Sequence, residues 1–397
     1  MAEWIECSIG DLCNTISDTY KGDDEHVVLV NTSDVLEGKV LNHEIVVNKN
    51  LKGQFKKTFK KDDILYSEIR PGNKRFAYID FENTSNYIAS TKLMVLRHND
   101  KVLPEYLFAL LKSNYVIDEL QHLAETRSGT FPQITFSSEL APMKVFLPDK
   151  DTQKRIVSIL SSIEQKIDEN TAINNNLEQQ IEAVLLSFIE NTNSNDVKLG
   201  DYLYIKGRIG WKGLKKEEYL EHSDYRIING ESLTKAGIDW SKAGYISQAR
   251  YYESPEIMLQ SGDILLSKDG TIGKIGYIDS LSTPTTVASG IFVIRNLQPN
   301  IISTTFIYYL LKSRLFTAFI AARTEGSVIP HLYQKDFMQF EFPLPDKEEM
   351  ANFEELTAPM FSLIVSNLNE NDRLMRIRDS LLPRLMSGEL DVSDIDL

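Results

Sequence analysis

The sequence predicts an α+β fold: two similar globular units separated by two long helices packed as an antiparallel coiled coil. Three observations predict it. The phrase Leu147-Pro148-Asp149-Lys150-Asp151 recurs as Leu344-Pro345-Asp346-Lys347-Glu348, 197 residues later in a chain of 397. Each phrase opens about 40 residues with apolar steps of three and four, the seam of a coiled coil. The mixed segments before each phrase share landmarks in the same order, the mark of an internal duplication. The predicted segments are 1–148, 149–193, 194–345 and 346–397, and a chain of this length is expected to hold more than one core.

The first segment reads as short strands at Val27–Val30, Glu44–Val47, Asp63–Tyr66, Phe76–Ile79 and Leu93–Leu96, parted by polar turns. Pro104 to His122 follows as one predicted helix, with Pro at its first turn and Tyr106, Leu107, Leu110, Leu111, Tyr115 and Ile117 at roughly helical spacing. A loop at Thr126–Pro132 leads to a last strand over Met143–Leu147.

The first long helix is expected from Asp149 to Glu190, capped by Asp149 or Asp151, with a seam at Ile156, Leu160, Ile163, Ile167, Ile173, Leu177, Ile181, Val184 and Phe188. Asn170 and Asn174–Asn176 interrupt its middle, either as a weak spot or as a polar layer that fixes register. The second, from Asp346 to about Ser387, places its seam at Phe353, Leu356, Met360, Leu363, Leu374, Arg378, Leu381 and Leu385. Asn367 and Asn371 repeat Asn170 and Asn174. Pro359 removes a helical donor and is expected to kink or restart this helix, and Gly388 to end it. Each helix alone leaves an apolar stripe in water, and antiparallel pairing buries both.

After the polar linker Asn191–Asp196 the pattern restarts. Leu199-Gly200-Asp201-Tyr202 echoes Ile9-Gly10-Asp11-Leu12, and Asp263-Ile264-Leu265-Leu266-Ser267 echoes Asp63-Ile64-Leu65-Tyr66-Ser67. Tyr277-Ile278-Asp279, Leu310-Leu311-Lys312-Ser313 and Thr324–Pro330 echo Tyr78-Ile79-Asp80, Leu110-Leu111-Lys112-Ser113 and Thr126–Pro132.

The formal charge of −14 argues superficially against nucleic acid, but its distribution weakens that argument. Residues 149–193 carry eight acids and four bases, and residues 346–397 twelve acids and five bases. The globular segments are near neutral and can carry local basic faces. Cys7 and Cys13 are too few for a disulfide framework or metal site and read as free thiols of a reducing cytoplasm. Neither a secretion signal nor a membrane span is visible.

No catalytic constellation survives inspection. Gly270-Thr271-Ile272-Gly273-Lys274 lacks the spacing and the hydroxyl of a phosphate loop, the six histidines are isolated, and no nucleophile elbow or dinucleotide fingerprint occurs. What stands out is basic and loop-borne. Residues 49–75 hold nine bases, among them Lys56, Lys57, Arg70, Lys74 and Arg75, against three acids, with Phe55, Phe59, Tyr66 and Phe76 interleaved. Such a segment suits phosphates, with Arg available for base edges and Asn73 among the DNA-binding candidates; the bland alternative is a solvated basic face. Its inter-strand loop, Ser67–Arg75, has a counterpart at Ser267–Lys274 that offers Lys268, Thr271 and Lys274. Lys206, Arg208 and Lys212 flank Trp211 as a further patch, and Arg127 and Arg323 are weaker candidates on matching loops.

With these residues in place, the chain resembles the specificity subunit of type I restriction–modification systems. The resemblance rests on the alternating units and helices, on the Leu-Pro-Asp-Lys phrases, on Gly129–Pro132 and Ser327–Pro330, on Asp263–Leu265 through Gly273-Lys274, and on the ending Leu381–Leu390. It covers essentially the whole chain. It implies that each unit is a target recognition domain reading half of a split, asymmetric double-stranded DNA sequence. The helices would fix the unread gap and dock two methyltransferase subunits. Those partners would bind S-adenosylmethionine, motor and nuclease (restriction) subunits would join them, and this chain would hold no cofactor and no catalytic site. The Arg70–Arg75 loop departs from the Gly-Thr-x-Gly-Lys wording of its counterpart. The alternatives are a two-headed scaffold that does not bind DNA and a fragment of a fused methyltransferase–specificity protein.

Overall fold

The computed structural model describes residues 4–22, 24–49, 53–127, 130–192, 194–209, 213–324 and 331–393. The chain forms two compact units, 1–166 with 374–397 and 167–373. Neither follows the four predicted segments: each joins one globular segment to stretches of both long helices.

In the first unit the strands Cys13–Ile16, Leu93–His98, Ile64–Ser67 and Phe76–Tyr78 form, in that spatial order, an antiparallel sheet. Its central strands are apolar at successive positions because both faces are covered. Ile64, Tyr66, Met94 and Leu96 face the helical side, while Leu65, Leu93 and Val95 join the core of a second sheet. That sheet orders Ile45–Val47, His26–Val30, Tyr87–Ser90 and Phe55–Lys57, with Tyr87–Ser90 parallel to His26–Val30. Ile5–Ser8 pairs antiparallel with Lys144–Leu147, which delivers the chain to the first long helix.

The second unit repeats this plan. Leu203–Gly207, Ile291–Asn296, Ile264–Ser267 and Ile275–Tyr277 form the antiparallel sheet. Again alternate residues divide between two cores, Ile264, Leu266, Phe292 and Ile294 on one side and Leu265, Ile291 and Val293 on the other. Gly244–Tyr245, Arg226–Ile228 and Thr285–Val287 make the second sheet, with the same parallel pair. A buried ion pair is duplicated too. Asp63 accepts from Arg97 Nε and Nη2, both at 2.7 Å, and Asp263 accepts from Arg295 Nε at 2.6 Å and Nη2 at 3.0 Å.

The predicted helix over Pro104–His122 is two helices, Pro104–Leu111 and Asn114–Arg127. Ser113 makes the break: its Oγ donates to Leu110 O and accepts from Val116 N. Ser313 does the same between Thr304–Lys312 and Arg314–Thr324, bonding Leu310 O and Phe316 N. Among the described residues no helix is long and apolar enough to cross a membrane.

The first long helix spans Lys150–Asn191 and the second Lys347–Met386. Asp149 caps the first, accepting from the backbone N–H of Asp151 and Thr152 at 2.9 Å, and Asp346 caps the second through Glu348 and Glu349. Pro359 does not restart the second helix, which is assigned without interruption; a single absent donor is tolerated where neighbours hold the turn, and Thr357 Oγ1 donates back to Phe353 O. Gly388, at φ +75°, ends it as expected.

The seam differs from the predicted one. Ile173, Leu356 and Leu363 are exposed, while Gln153, Asn170, Asn174, Leu185, Phe361, Ile364, Asn367 and Asn371 are buried. The asparagines therefore occupy the seam. A reading that follows apolar residues slips onto Ile173, one position from the true seam residue Asn174. In the second unit Asn367 Nδ2 donates to Asn174 Oδ1 at 2.8 Å, and Asn170 Nδ2 to Asn371 Oδ1 at 2.9 Å. The partner's number falls as the first helix's number rises, so the pairing is antiparallel. In the first unit Ile156 and Leu160 share a core with Leu382, Leu385 and Met386.

Candidate nucleic-acid interface

Each unit carries a hairpin loop at the same place, between Ile64–Ser67 and Phe76–Tyr78 in the first and between Ile264–Ser267 and Ile275–Tyr277 in the second. In the first unit Ser67 N donates to Arg75 O at 2.8 Å, and in the second Ser267 N donates to Lys274 O at 2.9 Å, which makes Arg75 and Lys274 equivalent. The first-unit loop is docked on the segment after the helix pair and on the second helix of that pair. Arg70 N donates to Pro132 O, Ile134 N to Glu68 O, Gln133 Nε2 to Glu68 Oε2 and Gly72 N to Gln121 Oε1. In the second unit Leu332 N donates to Lys268 O, and His331 Nδ1 meets Asp269 Oδ1. Sequence reading missed Gln121, Gln133 and His331, which hold the loops from a distance in sequence and carry no local signal.

The predicted contact residues divide sharply. Lys56, Arg70, Asn73, Lys74, Lys206 and Thr271 are exposed. Arg127 is exposed at the end of its helix and pairs with Glu139 at 3.2 Å. Arg323 lies over the Phe319 ring, 3.6 Å from its centroid, and Lys268 over Phe292 at 5.2 Å. Arg75 Nη1 donates to the carbonyls of Ser33 and Val35, and its equivalent Lys274 donates to Gly230 O at 2.9 Å. Both therefore hold their own loop. Lys57 turns inward to Leu93 O at 2.8 Å, and burial lowers its pKa.

Arg208 is a correction. It is 1% exposed, and its guanidinium donates to Val287 O at 3.1 Å and approaches Ser254 Oγ and Thr286 Oγ1 at 3.5 Å. Burial first, and then the charge of Arg250, push its pKa down. It is a core residue because the strand Leu203–Gly207 delivers it to Thr286 and Val287 of the second sheet, and it offers nothing to a surface ligand. The aromatic residues Phe59, Tyr66 and Phe76 are likewise core and not stacking platforms. Lys212, Trp211 and Ser327–Pro330 lie outside the described residues, as do Ser128 and Gly129 of the matching first-unit loop.

No group of three or more His, Cys, Asp or Glu able to hold a metal ion occurs among the described residues, and Cys7 and Cys13 are free thiols. The geometry offers paired, docked loops with exposed cations and amides.

Comparison with known proteins settles the family. The type I restriction modification DNA specificity domain matches twice, over residues 1–179 and 191–358. The chain belongs to this family. Among curated relatives, the HindI specificity subunit of Haemophilus influenzae is 30% identical over 465 residues, covering 98% of this chain and all of the relative. The MjaIX specificity subunit of Methanocaldococcus jannaschii is 25% identical and covers 75% of this chain and 71% of its own. A type I restriction–modification S subunit from M. genitalium has the same fold, with a TM-score of 0.55 at 18% identity over 97% of this chain and 96% of its own. Family membership makes the chain a specificity subunit and not an enzyme, in keeping with an α+β fold of two repeated units and two long paired helices.

Proposed function

We propose that this chain reads a bipartite, asymmetric target on double-stranded DNA, one half-site per globular unit, inside a type I restriction–modification complex. One observation carries the reading: a hairpin loop at the equivalent place is docked in the same way in both units but differs in tip length and side chains, Arg70-Pro71-Gly72-Asn73-Lys74 against Gly270-Thr271-Ile272-Gly273. Equivalent frames with unlike tips are what two unlike half-sites require. Affinity then comes chiefly from phosphate contacts and falls with salt. Lys56, Arg70, Asn73, Lys74, Lys206 and Thr271 are the exposed contact residues of this reading, with Arg127, Lys268 and Arg323 at its margins.

The paired long helices fix the unread gap and dock two methyltransferase subunits. S-adenosylmethionine belongs to those partners, and motor and nuclease subunits complete the assembly in the cytoplasm. The test is methylation mapping of DNA from cells with and without the chain, followed by exchange of residues 194–345 for those of another family member. The expected result is a two-part motif of which only one half changes. A motif unaltered by the exchange, or changed in both halves, would overturn the assignment of one half-site to each unit.

A further inference from the structure

The two hairpin loops solve one backbone problem with opposite residues. Each needs two left-handed positions. The second unit fills them with Gly270, at φ +65°, and Gly273, at φ +92°. The first unit fills them with Arg70, at φ +46°, and Lys74, at φ +53°. An L side chain is disfavoured there because its Cβ crowds the backbone. Arg70 is penalised again, since the ring of Pro71 drives a preceding residue toward extended conformations. The second unit, whose loop is one residue shorter between the closing pair, meets the same two positions with glycine.

The two side chains contribute nothing visible to the fold in exchange. Neither the Arg70 guanidinium nor the Lys74 ammonium has a hydrogen-bond or ion-pair partner among the described residues, and both are exposed. The contrast within the same unit is sharp. Arg75 bonds Ser33 O and Val35 O, Arg97 pairs with Asp63, Arg127 with Glu139, Arg378 with Asp379 and Arg384 with Glu389, while Arg155 and Arg376 are also engaged. Among the described residues Arg70 is thus the free guanidinium of the unit, at a docked loop tip: its own N–H donates to Pro132 O and that of Gly72 to Gln121 Oε1. Strain retained without a structural return marks a residue kept for what it contacts.

We infer that Arg70 reads a guanine edge in the major groove for the first unit, and that Lys74 anchors the adjacent phosphate. Arginine presents two parallel donors to guanine O6 and N7, whereas lysine on a phosphate carries no sequence information. The second unit, with glycines at both positions and Lys274 tied to Gly230, has no cation at its hairpin tip and reads its half-site by other contacts.

This inference rests on the DNA-reading function proposed above, and the test separates the two. The complete chain, assembled with its methyltransferase partner, is titrated with duplexes carrying the mapped target and each single-base variant of it, at several salt concentrations. Arg70→Gly is expected to keep or raise the melting temperature while weakening target binding about 10- to 100-fold, with discrimination lost at one G·C pair of one half-site. Arg70→Lys is expected to keep much of the salt-dependent affinity and still lose that discrimination. Lys74→Gly is expected to weaken all duplexes alike and to shrink the slope of log affinity against log salt by about 0.9. Full discrimination by Arg70→Gly, or a loss equal at every sequence, would overturn the guanine assignment while leaving the DNA-reading function intact. A wild-type complex that fails to separate target from random duplex would overturn both.

Discussion

Asn367 and Asn174 face each other across the seam of the second unit, amide to amide at 2.8 Å, both nearly inaccessible to water. Asn174 Nδ2 in turn reaches Ile364 O at 3.3 Å, and one helical turn away Asn170 donates to Asn371 and to Glu370 Oε2 at 2.7 Å. The layer is satisfied as a set, so its worth lies in completeness. Asn367→Leu alone strands the Asn174 carbonyl and is expected to destabilise the chain by about 1–3 kcal/mol. Adding Asn174→Leu is expected to recover part of that loss, because both polar partners are then gone. Calorimetry of the two single variants and the double variant yields the coupling; strictly additive losses would show that the pair does not act as a unit.

The burial of Arg208 leads to an equally direct expectation. Arg208→Ala is expected to cost about 2–4 kcal/mol of stability, since it removes a large buried side chain and leaves Val287 O without its donor. The salt dependence of DNA binding, measured well below the melting temperature, is expected to stay as in the wild type, because no phosphate contact is lost. Reduced salt dependence in that variant would return Arg208 to the surface list.

The duplicated ion pairs give a second stability test. Asp63 and Asp263 are almost wholly buried, and each receives two guanidinium donors. Asp63→Ala leaves Arg97 without its acceptor and is expected to cost about 3–5 kcal/mol, and Asp263→Ala is expected to cost less, because Arg295 Nη2 keeps its bond to Met258 O. Replacing both partners of one pair by apolar residues of similar volume is expected to cost far less. Thermal unfolding of these variants decides between a pair that stabilises and one that only avoids a stranded charge.

How much of this was legible in the sequence follows from where each signal lives. The repeat, the long helices and the main strands are local patterns, and the cap of the first helix was readable as Asp149 or Asp151 and the end of the second as Gly388. The matched asparagines were readable as a pair of breaks, but not as the seam itself, because apolar Ile173 and Leu363 mimic it on the solvent side. The split at Ser113 was hidden by apolar spacing that continues through it. The candidate interface was half legible. Composition gathers Lys57, Arg70, Lys74, Arg75 and Arg208 under one chemistry, whereas burial and backbone carbonyls separate them. That separation depends on residues far away in sequence: Leu93 for Lys57, Ser33 for Arg75 and Val287 for Arg208.

The last expectation concerns pH and the start of the first long helix. Asp149 accepts from Thr152 N and Oγ1 and from Asp151 N, and these hydrogen bonds, led by that from the Thr152 backbone, hold its carboxyl below the ordinary value of 3.8. Because the folded pKa is the lower one, the unfolded chain takes up this proton first as pH falls. The cap therefore stabilises fully above the ordinary value and loses its effect as pH drops below 3.8 through the folded pKa. Asp149→Ala is expected to lower stability by about 1 kcal/mol at neutral pH. The gap between variant and wild type is expected to close only in the acid range below the ordinary carboxylate value. Denaturation of both proteins from neutral pH downward measures it, and a gap that closes near neutrality would assign the effect to another group.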